Sequence, residues 1–146
     1  EYSSFDGQPY VGEQEIFGKH DWYYSDAYRT IANIGLDYEW FARDTEYGAW
    51  CRNNANKLQY FFKNTVKEAN RKAYTVDGDI LDEDALHPVA ITATNAQASL
   101  AADGEYALEC VKDFWNTPLR EGDRRYYDNC LYMFAMLALS GNYRMY

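Results

Sequence analysis

The chain has 146 residues, 47% of them hydrophobic and 18% aromatic, and a formal net charge of −9. That composition supports a packed core for one ordinary domain or a piece of a larger one. The acidic balance, with no cluster of Lys and Arg, excludes a nucleic-acid or anionic-membrane partner, and no stretch is apolar for long enough to span a bilayer.

The 15 Tyr, 4 Trp and 7 Phe admit two readings. Sugar-handling proteins stack pyranose faces on rings and meet hydroxyls with phenols, whereas a helical core can also use large residues. Cys51, Cys110 and Cys130 form no CxxC, no Cys/His cluster and no disulfide framework. They lean towards a reducing, cytoplasmic compartment, with a periplasmic or secreted place left open. No secretion signal stands at Glu1, where the sequence reads as a break rather than a true N-terminus.

Residues 1–19, with Gly7, Pro9, Gly12 and Gly18, read as an extended arm. His20 reads as a hydrogen-bonded loop residue. A first helix is expected from about Asp26 to Phe41, with Ser25 as N-cap. Its residues 30–36 hold no charge, so it reads as buried nearly all round. A second helix, from about Glu46 to Arg71, is amphipathic, with Cys51, Ala55, Leu58 and Phe62 on one face.

The pattern then breaks. Val76 to Ile80 suggests a hairpin with its turn at Asp77-Gly78. Asp82, Glu83 and Asp84 lack the oxygen-ligand spacing of a calcium loop and read as a solvated turn. Pro88 opens the third helix, about Val89 to Ala102, which carries no charge. The fourth, about Gly104 to Asn116, is amphipathic, with Ala107, Leu108, Val111, Phe114 and Trp115 expected inward. The fifth, about Asp123 to Ser140, ends in another uncharged run. Buried and amphipathic helices therefore alternate, as in an inner ring wrapped by an outer one. That predicts an all-α, two-layer helical toroid. Five helices do not close such a ring, so apolar faces should stay uncovered.

Three clusters carry chemistry. Asp26 and Arg29 share one side of the first helical turn, beside Trp22, Tyr23 and Tyr24. Spacing leaves two readings open: a general base ready to take a proton from water, or an acid that satisfies the helix dipole and pairs with Arg29. His87 lies between Leu86 and Pro88, whose ring fixes the local backbone, so its imidazole is either aimed at a ligand or simply structural. Arg124, Arg125, Tyr126 and Tyr127 open the fifth helix. Shared orientation of the buried helices would put them at the rim that holds Asp26; the alternative is a surface Arg–Asp pair with core tyrosines. There is no phosphate-cradling loop, nucleophile elbow or HExxH.

The segments "HDWYYSDAYRTIANIGLDYEWF", "ANKLQYFF", "DEDALHPVAITATNAQASLAA", "FWNTPLREGDRRYYDNCLYMFAMLALSGNY" and "EYSSFDGQP" together resemble glycoside hydrolase family 8, in its reducing-end xylose-releasing exo-oligoxylanase branch. The resemblance implies an (α/α)6 barrel and an inverting hydrolase of xylo-oligosaccharides, without metal or cofactor. It implies Asp26 as the general base and Arg29 as the holder of that carboxylate or of a sugar hydroxyl. "LHP" matches a loop that walls off the cleft beyond the reducing-end sugar, so His87 would touch the terminal xylose. Tyr126 and Tyr127 match an aromatic pair near the cleft, and Trp22 and Tyr24 join the substrate-binding set.

The family's general acid is a Glu in the N-terminal half of the barrel, and Glu39, Glu46 and Glu105 match no such context. Residues 1–146 are thus expected to be the C-terminal portion of a single catalytic domain, inactive alone. Its expected partners are the missing N-terminal segment and the substrate. An endo-acting xylanase, cellulase or chitosanase portion and a non-catalytic carbohydrate-binding piece are the competing readings.

Overall fold

The computed structural model describes residues 22–67 and 71–144 in full, and 2–3 and 9–10 as backbone strands. His20 and most of the proposed arm lie outside the described residues. The elements run β1 (Tyr2–Ser3), β2 (Pro9–Tyr10), β3 (Trp22–Tyr23), α1 (Tyr28–Asp37), α2 (Glu46–Tyr60), β4 (Lys72–Thr75), β5 (Ile80–Asp84), α3 (Pro88–Gln97), α4 (Ala107–Asn116) and α5 (Arg125–Leu139). A 3₁₀ turn at Ser25–Ala27 leads into α1, and wide π turns at Tyr38–Ala42 and Phe61–Val66 end α1 and α2.

The helices form an arc of a two-layer toroid. In the inner row α1 and α5 flank α3, while α2 and α4 pack outside. α3 is buried from Ala90 to its end because Ala90, Ala93 and Ala96 let neighbours approach closely. Its threonines return their hydroxyls to the helix: Thr92 donates to Pro88 O and Thr94 to Ala90 O. Gly35 of α1 is required at one such approach, since a Cβ there would lie 2.7 Å from the Gln97 carbonyl oxygen. Tyr28, Phe62, Tyr74, Ile91 and Leu131 join α1, α3, α5 and the sheet in one buried cluster. Phe114 joins α4 to Ala93, Ala96 and Ala135 in another.

The hairpin forms where expected, with Gly78 at φ 94° in its turn. β4 also pairs with β3, Trp22 opposite Thr75 and Tyr23 opposite Tyr74. The three strands thus tie the entry of α1 to the segment that leads into α3. Asp82, Glu83 and Asp84 belong to the edge strand β5 rather than to a turn, with Asp84 paired to Lys72 at 3.2 Å. Among the described residues no cluster of His, Cys, Asp and Glu could hold a metal ion, and no helix is long and apolar enough to cross a membrane.

Four expectations need correction. Ser25 is not the N-cap. The β3 pairing keeps Tyr24 extended at that position, and Ser25 enters the 3₁₀ turn at φ 46°. α1 is not buried all round, because Arg29, Thr30 and Asn33 face outward at one end of the inner row. α2 stops short of Arg71: after the π turn Lys67 adopts φ 59°, and β4 begins at Lys72. In α4 only Cys110 and Phe114 are buried, and Leu108 and Trp115 stand 64% and 71% exposed. The expected uncovered apolar faces are present, at Phe41 in the π turn after α1 and on α5 at Met133 and Phe134.

Candidate functional site

The inner helices α1, α3 and α5 all begin at one rim of the arc, so the positive ends of their dipoles collect there. α1 brings Asp26 there from the 3₁₀ turn. Its carboxylate Oδ1 takes an ion pair from Arg29 Nη2 at 2.9 Å, and the two side chains are 70% and 50% exposed. The pair therefore lies open to whatever occupies the rim.

α5 meets it from across the arc. Tyr127 Oη donates to Ser25 O at 3.1 Å and lies 3.5 Å from Asp26 Oδ1. The Tyr127 ring packs against His87, with centroids 4.4 Å apart. His87 is the N-cap residue of α3 and is buried. Asp26, Tyr127 and His87 thus form a continuous line although 26, 87 and 127 are far apart in the chain. Tyr28 lies beneath, wholly buried, with its phenol pKa pushed up by burial and partly offset by the Ser25 backbone.

Asp128, adjacent to Tyr127, was not singled out by sequence reasoning. It is fully buried at the start of α5. Its Oδ2 meets His87 Nδ1 at 3.0 Å and accepts from Arg120 Nη1 at 2.5 Å, and its Oδ1 accepts from Ala90 N at 2.7 Å. Arg120 also donates to Leu86 O at 2.7 Å. The loop 86–88 is therefore bolted to the first turn of α5 on both sides. The available signal was a lone acid inside an aromatic run, with Arg120 eight residues earlier.

The other expected residues divide. Trp22 and Tyr24 are half-buried beside the entry to α1, with perpendicular rings 5.8 Å apart. Tyr126 does not join the line: one residue along the helix from Tyr127, it points to solvent, 81% exposed, in an open groove with Arg124, Arg125 and Met133. Arg124 takes φ 64° as the N-cap of α5, and Arg125 donates to Gly122 O at 2.9 Å, so both serve the turn into the helix. Glu39, Glu46 and Glu105 stand near the C-terminal end of α1 or at the starts of the outer helices, at the end of the arc away from Asp26.

No model of a known protein family matches the chain. Across all 146 residues it is 52% identical to the reducing-end xylose-releasing exo-oligoxylanase Rex8A of Paenibacillus barcinonensis, covering 37% of that protein. It is 49% identical over 147 aligned residues to the reducing-end xylose-releasing exo-oligoxylanase of Halalkalibacterium halodurans, covering 35%. The chain thus spans little more than a third of the length of these relatives. The solved structure of Rex8A complexed with xylose matches the whole chain with a TM-score of 0.88 and covers 37% of that chain. A Glu→Ala variant of Rex8A was solved with 3(3)-alpha-L-arabinofuranosyl-xylotetraose, and another variant replaces an adjacent Leu and His by Ala and Ser. At this identity the likeness carries the fold, and the chain is a portion of an (α/α)6 barrel.

Proposed function

We propose that this chain forms the general-base side of an inverting glycoside hydrolase that releases xylose from the reducing end of xylo-oligosaccharides. One observation carries the reading. In a chain about half identical to such exo-acting enzymes, an accessible carboxylate, a phenol and a fixed imidazole meet along one rim of the helical arc.

Asp26 takes a proton from the water that attacks the anomeric carbon. Arg29 holds the carboxylate so that one oxygen faces the sugar. Across the ring a carboxylic acid protonates the leaving oxygen, about 6.5–9.5 Å from the base to leave room for the water. We place that acid in the part of the barrel that these 146 residues do not span. The Glu→Ala Rex8A variant solved with an oligosaccharide fits a catalytic Glu of this kind in the relative. His87, in the only Leu-His pair of the sequence, closes the cleft beyond the terminal xylose, which limits release to one unit at a time. Rex8A also carries an adjacent Leu and His, the pair replaced in its Ala/Ser variant. Tyr127, Trp22 and Tyr24 offer rings for the sugars on either side.

The test replaces the matched segment of Rex8A by this chain and supplies xylohexaose. Xylose and xylopentaose should appear first, and the new reducing end of the xylopentaose should form with the configuration opposite to that of the bond cleaved. Mid-chain cleavage would favour an endo-acting enzyme, and binding without cleavage a carbohydrate-binding role. A retained configuration would remove Asp26 from the role of base.

A further inference from the structure

The one buried acid at the rim has more donors than a structural ion pair needs. Arg120 Nη1 and the Ala90 backbone N–H cannot act as acceptors. They engage Asp128 Oδ2 and Oδ1 respectively, so both oxygens accept. His87 Nδ1, 3.0 Å from the same Oδ2, must then carry the proton. The Tyr127 ring packs on the imidazole and holds its plane. Nε2 accepts no hydrogen bond among the described residues and is not sealed from solvent, since 8% of the side chain remains open.

We propose that Asp128 is the positioning residue of the site: it locks His87 in the Nδ1–H tautomer and presents Nε2 to the cleft as an acceptor for a hydroxyl of the terminal sugar. This rests on the reading of His87 as the wall of an exo-acting cleft. Asp128 touches no substrate and acts through His87, while Arg120 fixes the carboxylate and the Leu86 carbonyl at once. The Ala90 N–H bond ties the same acid to the start of α3, so ring orientation and helix position are set by one group. A neutral ring with a proton on Nε2 would offer a donor where the sugar also brings one.

Asp128→Leu keeps the size of the side chain and removes the acceptor. Asn would not serve, because an NH₂ in place of Oδ2 would also meet the Arg120 Nη1 donor, and the amide would turn over to keep its oxygen on His87. The experiment is ¹⁵N-histidine NMR at pH 8 on Rex8A carrying this segment, with the His87 signals identified as those lost in His87→Gln. Nδ1 protonated and Nε2 unprotonated is the expected result, and Asp128→Leu should release the ring to the Nε2–H tautomer. A wild-type ring with Nε2 protonated, neutral or cationic, overturns the proposal without any variant; so does an unchanged tautomer in a folded Asp128→Leu protein. The same variant should lower kcat/KM for xylotriose about tenfold, the worth of roughly one hydrogen bond. A hybrid that releases no xylose yet shows the expected tautomer would defeat the functional reading, and with it the sugar as the partner of Nε2, while the lock of Asp128 on His87 would stand.

Discussion

Replacing Asp26 by Asn separates catalysis from folding because the structure makes the two effects unequal. Its carboxylate is 70% exposed and its Arg29 partner 50% exposed. Such a surface pair is worth about 0.2–1 kcal/mol, and a charge in the first helical turn about 0.3–1 kcal/mol. Asn keeps the size of the side chain, so Asp26→Asn should cost the fold no more than about 2 kcal/mol, a shift of a few degrees in Tm. Loss of a general base should lower kcat by roughly 10²–10⁴, or about 3–5 kcal/mol in barrier height. The assay pairs xylose release from xylotriose with thermal unfolding, both on Rex8A carrying this segment. A rate within tenfold of the parent refutes Asp26 as the base. A large loss accompanied by unfolding refutes the placement of its side chain in the open rim.

Gly35→Ala should gain about 1 kcal/mol of helix propensity but lose more to overpacking, because the new Cβ meets the Gln97 carbonyl oxygen at 2.7 Å. A net loss of about 1–2 kcal/mol in urea unfolding is expected, and an unchanged midpoint would mean that α1 and α3 stand further apart. Burial pushes the Cys110 thiol from its ordinary 9.0 up to about 12. The folded state therefore favours the protonated thiol, so its contribution is complete below pH 9 and is lost as pH rises towards 12. That loss reaches up to about 4 kcal/mol. The slope should appear between pH 9 and 10 in denaturant titrations and vanish in Cys110→Ala; equal slopes in both proteins would contradict the burial. Above that range Tyr28, whose phenol is also raised by burial, adds a loss of the same sign.

What sequence could reveal followed from local chemistry. The run after Pro88 contains no charge before Asp103, so α3 had to be buried, and Asp77-Gly78 announced its hairpin. The alternation of buried and amphipathic helices gave the two-layer arc because layer position acts on composition residue by residue. Phase was harder to read. Tyr126 and Tyr127 look alike in sequence, but about 100° of helix rotation separates them, and only the true start of α5 says which one faces the rim. Leu108 and Trp115 extend the apolar stripe of α4 beyond the width that its neighbours cover. Asp128 was invisible for a different reason. An acid in the first turn reads as a dipole partner, and its real partners, His87, Ala90 and Arg120, meet it only through the packing of the α3 entry and the α4–α5 loop on α5.

That packing also explains why a histidine can stand at the head of a buried helix at all. A helix start surrounded by protein needs partners for its free N–H groups, and the usual solution is a Ser, Thr, Asp or Asn at the N-cap. α3 has His87 there, with no side-chain cap of its own. Asp128 supplies the missing acceptor from the neighbouring helix, through Ala90 N. Capping from across the interface releases the N-cap position from its structural duty, and the residue placed there can be chosen for what it does at the rim. α5 also steadies the entry of α1, there by a donor rather than an acceptor: Tyr127 donates to Ser25 O while Asp26 stays open to solvent. In both cases α5 carries the structural duty for a neighbour's first turn. Damage to the start of α5 should therefore disturb Asp26 and His87, at the entries of two other helices, before it disturbs the fold.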